Sequence, residues 1–287
     1  MLKSSGSADP PRRLICNADD FGLSAATNGG IIQCRQEGIL TSASLMVRAP
    51  AAAAAAQWAA GDPSLSLGLH VELGEWEYRA GAWVQTTEVV PLDQPLAVRD
   101  EIYRQVDAFV KLTGNNPTHL DSHQHLHQRS SVKPVMRALA DTLGVVLRGE
   151  SAVVRFCGAF FGADEHLEPK PENVSVANLL QLLDRLQPGI TEMSCHPGLD
   201  SSLNSDYAAM RLLEVATLCD PRIIQAIHDK NILLVPFEPL PRGEATVANI
   251  ESATQGSPTT INSRTGSIEP KGGIAQKIGR DGHGAGV

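Results

Sequence analysis

The chain has 287 residues, of which 42% are hydrophobic and only 4% aromatic, and its formal net charge is −8. This length and composition suit one large α/β domain with a substantial core. The acidic balance and the lack of any basic run argue against a nucleic-acid partner or an anionic membrane surface. No apolar stretch approaches the roughly 18 residues that a membrane-spanning helix needs, so no membrane span is predicted.

The two ends of the chain differ in composition from its middle. Residues 1–11 are polar and lack the apolar segment of an export signal, which predicts a flexible leader and a cytoplasmic location. Residues 241–287 are rich in small and polar residues without periodicity, which is typical of a disordered tail. Five scattered cysteines favour free thiols in a reducing compartment. A single folded domain is therefore predicted over residues 12–240.

Within this domain, short apolar runs alternate with segments of helical periodicity. Strands are predicted over residues 13–18, 42–47, 66–73, 144–148, 189–196 and 232–235, with a further strand ending in the histidine-rich segment described below. Helices are predicted over residues 25–37, 51–60, 96–113, 132–143, 176–186, 207–218 and 221–230. Residues 74–95 and 149–174 lack clear periodicity and are predicted to be long excursions. About seven strand–helix units predict a parallel sheet covered by helices, and a (β/α) barrel suits that number better than two domains.

Residues 119–127 are unusually rich in histidine. They contain His119, Asp121, His123, His125 and His127, all at odd positions. An extended backbone would place these five side chains on one face. If the chain instead turns helical after Ser122, His123 and His127 are neighbours on one face. Either geometry brings imidazoles together, and imidazole is a common metal ligand, although a surface histidine-rich loop is the alternative.

Polar residues also end the apolar runs of four predicted strands. These residues are the adjacent acids Asp19 and Asp20, then His70, His123 and His196. Each has an ordinary explanation by itself, such as a helix cap for Asp20 or a buried core histidine for His70. In a parallel barrel, however, the carboxyl ends of the strands meet at one rim, where catalytic residues lie. Their joint occurrence at strand ends therefore predicts one shared site.

Four segments at these strand ends together resemble the YdjC-like carbohydrate deacetylases, a group that includes chitooligosaccharide and hopanoid-biosynthesis deacetylases. The segments are residues 17–22 (NADDFG), 68–70 (GLH), 118–127 (THLDSHQHLH) and 192–198 (EMSCHPG). They occur in order within residues 12–240. The resemblance implies a distorted, seven-stranded (β/α) barrel related to that of the polysaccharide deacetylases. It also implies metal-dependent removal of acetyl groups from N-acetylated amino sugars.

The resemblance assigns roles to individual residues. It implies that Asp20, His70 and His123 bind one divalent metal ion, magnesium or zinc, and that Asp19 is the general base. His196 matches the general acid, or the residue that supports the leaving amine. Such a set suits amide hydrolysis, in which a metal ion activates water and polarises the carbonyl. Because neighbouring residues on a strand point to opposite faces, we expect a bend after Phe21, at Gly22, to bring the two acids together.

Three residues of the histidine-rich segment receive a less specific role. Asp121, His125 and His127 are predicted to line the sugar pocket or to hold the metal ligands in position without contacting the metal. The expected partner is a small-molecule carbohydrate, and a homodimer is the default oligomeric state. Two alternatives stay open: another metal-dependent hydrolase on the same barrel, such as an amidohydrolase or phosphoesterase, and a non-catalytic descendant that binds a sugar or a metal.

Overall fold

The computed structural model of the protein describes residues 10–199 and 207–238. The predicted leader over residues 1–11, except for its last two residues, and the predicted tail over residues 241–287 lie outside the described residues. Within the described residues, no helix is long and apolar enough to cross a membrane.

The described residues form ten strands and seven α-helices. The strands are β1 (Arg12–Phe21), β2 (Ser42–Leu45), β3 (Ser66–Val71), β4 (Gly74–Arg79), β5 (Ala82–Glu88), β6 (His119–Ser122), β7 (Val146–Leu147), β8 (Val154–Cys157), β9 (Gly189–Cys195) and β10 (Leu233–Leu234). The helices are α1 (Ala25–Glu37), α2 (Ala52–Ala59), α3 (Pro95–Thr113), α4 (Lys133–Leu143), α5 (Val176–Arg185), α6 (Tyr207–Leu218) and α7 (Pro221–Asp229). Short 3-10 helices cover His123–Gln128 and Pro171–Val174.

The main sheet contains eight parallel strands. Seven of them follow the order β7–β6–β3–β2–β1–β9–β8, and β10 pairs with the beginning of β1. Strands β7 and β8 form the two ends of this order, so the sheet makes a nearly closed barrel with one seam. Helices connect most of the parallel strands, as parallel pairing requires. The predicted distorted, seven-stranded (β/α) barrel is therefore confirmed.

Local sequence signals explain where the helices begin and end. The Ser24 hydroxyl accepts the backbone N–H of Thr27 at 3.0 Å and caps α1. In the same way, the Ser175 hydroxyl accepts the N–H of Asn178 and caps α5. Gly114 ends α3 in the left-handed conformation, with φ of 74°. Glycine adopts this conformation without steric cost.

The structure differs from the sequence prediction after β3. Residues 74–88 form an antiparallel hairpin, β4–β5, where an irregular excursion was predicted. Its turn, at Ala80 and Gly81, has φ of 50° and 85°. Positive values at both positions are typical of a tight hairpin turn. Polar and aromatic residues alternate along β4, a period-two signal in the sequence that indicates a strand. The irregular segment 149–174 likewise contains a short strand, β8, which pairs with β9.

The barrel contains an unusual number of buried polar side chains. Aliphatic side chains of the strands and helices form one extensive core. Several charged residues are nevertheless almost completely inaccessible, namely Asp19, Asp20, Asp121, Arg148 and Glu192. Charged residues are seldom buried unless they are paired, so these five require partners. Those partners define the candidate site.

Candidate active site

The adjacent acids at the end of β1 reach the same region because the backbone bends at Asp20. This residue has φ of 64°, in the left-handed region, and the pairing between β1 and β2 shifts register between Ala18 and Phe21. Aspartate is one of the few non-glycine residues that tolerate this conformation. The bend thus begins one residue before Phe21, and Gly22, with φ of 99°, continues it. The predicted turn at Gly22 is present, although the bend begins earlier than predicted, at Asp20.

Asp20, His70 and His123 meet at the carboxyl ends of β1, β3 and β6. Asp20 Oδ1 lies 3.4 Å from His70 Nε2 and 3.3 Å from His123 Nδ1. This oxygen is buried and has no hydrogen-bond partner among the described residues. Two ligands bound to one zinc ion at about 2.1 Å in a tetrahedron lie roughly 3.4 Å apart. The three residues therefore fit a divalent cation.

Asp121 supports His70 from the side opposite to Asp20. Its Oδ1 lies 2.8 Å from His70 Nδ1, so the hydrogen bond directs His70 Nε2 toward Asp20. Metal-binding histidines commonly have such a carboxylate partner. Burial lowers the pKa of His70, but the charge of Asp121 outweighs it and raises the pKa to about 10. Since Asp121 is fully buried, its position favours the predicted supporting role over a pocket-lining one.

The second oxygen of Asp20 is held by Arg211, a residue of α6. Arg211 Nη2 lies 2.5 Å from Asp20 Oδ2. Although burial alone would raise the pKa of Asp20, the charge of Arg211 holds it well below the ordinary value. Asp20 therefore remains ionised, with Oδ2 paired and Oδ1 free to bind a cation. Sequence reasoning missed Arg211, because one arginine within a helix carries no distinguishing signal.

Asp19 lies beside this cluster and is held in a second ion pair. Arg148 Nη1 and Nη2 donate to its two oxygens at 2.6 and 2.7 Å, and Asn17 Nδ2 donates at 2.9 Å. Burial raises the pKa of Asp19, but Arg148 outweighs it and keeps the pKa below the ordinary value. His196 Nε2 lies 3.6 Å from Asp19 Oδ2. The structure thus brings together Asp19 and His196, the two residues predicted to transfer protons.

Arg148 is the central residue that sequence reasoning missed. Its side chain is 1% exposed and contacts three carboxylates. Besides Asp19, its Nη2 lies 2.7 Å from Asp121 Oδ2 and its Nε lies 2.6 Å from Glu192 Oε1. The sequence did contain a signal, because Arg148 follows the apolar residues of β7 just as the candidate histidines follow their strands.

His196 is positioned by residues from α6. Glu214 accepts the backbone N–H of His196 and, at 2.9 Å, the hydroxyl of Tyr207. That hydroxyl lies 3.5 Å from His196 Nδ1. Burial lowers the pKa of His196 to about 4, so its imidazole is neutral near pH 7. The rings of Phe161 and His196 make a T-shaped contact, with centroids 5.3 Å apart and planes inclined by 65°.

The histidine-rich segment is extended over β6 and turns helical after Ser122, as the second of the two predictions expects. The helical part is a 3-10 helix, His123–Gln128, that is kinked at Gln124 and His125, where φ is 51° and 52°. His119 is not among the candidate ligands: it bonds to Ser44, and its ring stacks on Phe237 with centroids 3.9 Å apart. It is a core histidine with both ring nitrogens hydrogen-bonded. His119 is therefore not one of the imidazoles that form the cation-binding group.

His125 and His127 follow His123 in the kinked 3-10 helix and differ in their contacts. His127 Nδ1 bonds to the Ser122 hydroxyl at 2.8 Å, which fixes the kinked segment. The His125 ring packs against His127 and Phe156, with centroids 5.7 and 5.5 Å away. Burial and the Arg148 charge lower the pKa of His125 to about 3, so it is neutral. The predicted roles of both histidines in substrate binding or ligand support stay predictions.

Comparison with known proteins identifies the family. The family model for YdjC-like proteins matches residues 13–229, which include every strand from β2 to β9 and nearly all of β1. The chain belongs to the YdjC-like family.

Named relatives of this YdjC-like protein share about a third of its sequence. It is 34% identical over 265 residues to a chitooligosaccharide deacetylase of Serratia marcescens, an alignment that covers 79% of this chain and 98% of the relative. It is 31% identical over 255 residues to a carbohydrate deacetylase of Geobacillus stearothermophilus, with 79% and 97% covered. The crystal structure of a proposed cellobiose-phosphate cleavage protein from Enterococcus faecalis has the same fold. Its TM-score is 0.65 at 24% identity, with 79% of this chain and 98% of that chain covered.

Two linked groups of side chains make up the candidate site of this YdjC-like protein. One group, Asp20, His70 and His123, offers ligand atoms to a cation. The other, Asp19 and His196, offers groups that can accept and release a proton. Arg148 and Asp121 join the two groups, because Arg148 contacts both Asp19 and Asp121 and the latter bonds to His70.

Proposed function

We propose that this YdjC-like protein is a metal-dependent hydrolase that removes an acetyl group from an N-acetylated amino sugar. The observation that carries the proposal is the cation-binding geometry at Asp20 Oδ1, with Asp19 and His196 beside it. A set of two imidazoles and one carboxylate leaves coordination positions open, as catalytic metal sites require. Its relatives named chitooligosaccharide and carbohydrate deacetylases support a carbohydrate substrate.

Asp20, His70 and His123 would hold one divalent cation. When bound, this cation supplies a Lewis acid that polarises the acetyl carbonyl and makes water a stronger nucleophile. Two imidazole donors favour zinc over magnesium, which prefers oxygen ligands. The chain orients its ligands in advance, since Arg211 holds Asp20 and Asp121 holds His70. Such prior orientation raises metal affinity, because less freedom is lost on binding.

Asp19 and His196 would move the proton that hydrolysis requires. Asp19 is ionised and held by Arg148, so its carboxylate can accept a proton from the attacking water. The neutral imidazole of His196 lies 3.6 Å from that carboxylate. It can receive the proton and release it to the nitrogen of the departing amine. Tyr207 and Glu214 hold His196 in place on its other side.

Acetate release tests the proposed function. The protein, stripped of metal, would be incubated with N-acetylglucosamine oligomers while single divalent ions are added back. We expect acetate only when an active ion is present, and loss of release together with weaker metal binding in His123→Ala. His228→Ala is the matched control, because His228 lies on the surface with its side chain 86% exposed. Tight metal binding without acetate from any N-acetylated sugar would contradict the proposal and favour another hydrolase or a binding protein.

Replacement of Tyr207 by phenylalanine tests how His196 is held. The change removes the hydroxyl that bonds to Glu214 and lies near His196 Nδ1. A hydrogen bond of this kind is worth about 0.5–1.5 kcal/mol, so we expect kcat to fall roughly 2- to 12-fold, with KM and metal content unchanged. Tyr103→Phe is the control, since Tyr103 is 45% exposed on α3. An unchanged kcat would show that the tyrosine hydroxyl does not position His196.

A further inference from the structure

Two pairs of cysteines lie close together, and neither pair belongs to the candidate active site. Cys34 Sγ, on α1, lies 3.9 Å from Cys219 Sγ, which directly follows the end of α6. Cys16 Sγ and Cys195 Sγ, on the neighbouring strands β1 and β9, lie 4.0 Å apart. All four are free thiols. Since the sulfurs of a disulfide are about 2 Å apart, either pair would have to close by roughly 2 Å to form one.

The two pairs differ in their access to solvent. Cys16 and Cys195 are both 0% exposed, within the strands of the barrel. Cys34 is also buried, but Cys219 is partly exposed. A dissolved oxidant therefore has access to Cys219 and not to Cys16 or Cys195. We call Cys34 and Cys219 the thiol pair.

The helix ends that carry the thiol pair touch through their backbones. A Cβ atom added at Gly38, directly after α1, would lie 2.6 Å from the carbonyl oxygen of Leu218, the last residue of α6. The Gly38 N–H donates to the carbonyl of Cys34 at 3.1 Å. The Cys219 N–H donates to the carbonyl of Val215, also at 3.1 Å. Because the two backbones are already held side by side, most of the shift that a disulfide needs falls to the side chains.

The surroundings of the thiol pair favour Cys219 as its reactive member. Hydrogen bonding to Cys34 lowers the pKa of the Cys219 thiol, and this effect outweighs that of partial burial. The same contact, together with burial, raises the pKa of the Cys34 thiol. The thiolate is the form of cysteine that attacks an oxidant. We therefore expect Cys219 to react first and the protonated Cys34 to react second.

We propose that the thiol pair forms a reversible disulfide with hydrogen peroxide as the oxidant, and that this bond locks α6 to α1. The Cys219 thiolate attacks the peroxide, so that an S–O bond forms and the O–O bond breaks. The departing hydroxide takes up the proton that Cys219 released and becomes water. Cys34 then attacks the sulfenic acid: the S–S bond forms, the S–O bond breaks, and the hydroxyl leaves with the Cys34 proton as a second water. The two thiols thus lose two electrons and two protons, and a dithiol reductant reverses the reaction.

The disulfide would join two helices that flank the candidate site. Helix α6 carries Arg211 and Glu214, which bond to Asp20 and to the backbone N–H of His196. Helix α1 begins shortly after Asp20. The two cysteines are 185 residues apart in the sequence. A cross-link over so long a stretch restricts the unfolded chain strongly, and it therefore stabilises the folded one.

Peptide mapping of the full chain tests the proposal. The protein would be treated with hydrogen peroxide, alkylated in denaturant and digested without reductant. We expect Cys34 and Cys219 to escape alkylation and to appear in one cross-linked species, with the mass of two peptides less two hydrogens. Urea unfolding of the oxidised protein should have a midpoint at least about 0.5 M above that of the reduced protein. Dithiothreitol should reverse both changes.

Two variants serve as the matched controls. Cys219→Ser should abolish both the cross-link and the shift in midpoint. Cys157→Ser should keep both, because Cys157 is a partly exposed thiol with no second sulfur beside it in the described part of the chain. Peroxide treatment that leaves all five thiols open to alkylation, or that stops at the sulfinic acid of Cys219, would overturn the proposal. A cross-linked protein that unfolds at the same urea concentration as the reduced protein would overturn the lock.

Discussion

Replacing Arg148 with methionine is expected to lower the free energy of unfolding by at least about 3–5 kcal/mol, the usual cost of removing one partner from a buried ion pair. The change leaves three buried carboxylates, those of Asp19, Asp121 and Glu192, without their shared cation. Methionine has a similar length and fills the space, so the lost charge dominates the effect. Urea unfolding, followed by circular dichroism, measures the change.

The effect of this substitution on stability should depend on pH in a defined direction. In the wild-type protein, burial raises the pKa of Asp19 and of Asp121, but the charge of Arg148 outweighs it and keeps both below 3.8. These carboxylates therefore stabilise the fold above pH 3.8 and lose that contribution as the pH falls through their folded-state values. Without Arg148, burial raises both pKa values, and the variant should lose stability as the pH rises. The difference between the two proteins should thus grow from pH 4 to pH 7.

Arg99→Met provides the matched control for charge and size. Arg99 lies on α3 with its side chain 53% exposed and, within the described part of the chain, pairs only with the exposed Asp100. Its replacement should change stability by less than about 0.5 kcal/mol at any of these pH values, as expected for a surface position. If Arg148→Met were as stable as this control, the buried cation would not hold the three carboxylates in place.

Replacing Asp19 with asparagine is expected to reduce kcat by about 10²- to 10⁴-fold, the usual contribution of a general base. Asparagine is nearly the same size but cannot accept a proton. Because Asp19 stands outside the proposed ligand set of Asp20, His70 and His123, metal content should stay near the wild-type value. Acetate release and metal analysis on the same samples measure both quantities.

Asp121→Asn is expected to show the opposite combination of effects on kcat and on metal content, so that the two variants together distinguish a base from a residue that supports a ligand. Asp121 bonds to His70 and does not face the proposed water, so its replacement should weaken metal binding about 10- to 100-fold. Added metal should then restore much of the activity of Asp121→Asn but none of the activity of Asp19→Asn. If Asp19→Asn instead lost its metal, Asp19 would be a ligand and the roles assigned to the two acids would be reversed.

The barrel could be predicted because its signals are local and repeated. Apolar strands alternate with helices, and several boundaries carry a cap or turn residue such as Ser24 or Gly114. The same alternation places the ends of the strands at one rim, which is why Asp20, His70 and His196 could be grouped from positions far apart in the sequence. The hairpin was missed because only β4 has an alternating pattern, whereas β5 is mostly exposed and its sequence does not alternate.

The charge network could not be predicted, because it depends on which distant side chains become neighbours. Arg148 is an isolated arginine in the sequence, and only the closing of the barrel places it against acids that come from β1, β6 and β9. His119 was misjudged for a related reason, because its spacing matches that of the candidate ligands. Its ring instead bonds to Ser44 and stacks on Phe237, which lie far from it in the sequence.

The backbone conformation of the site implies a trade between stability and activity. Asp20, Gln124 and His125 are all held at positive φ. This conformation costs a non-glycine residue on the order of 1–3 kcal/mol. Glycine at Gln124 would relieve that strain, yet it would remove the amide that ties the hairpin to the segment bearing His123. A search for more heat-resistant variants would therefore favour replacements at these positions that weaken the proposed hydrolysis. A screen by melting temperature alone would select against that activity.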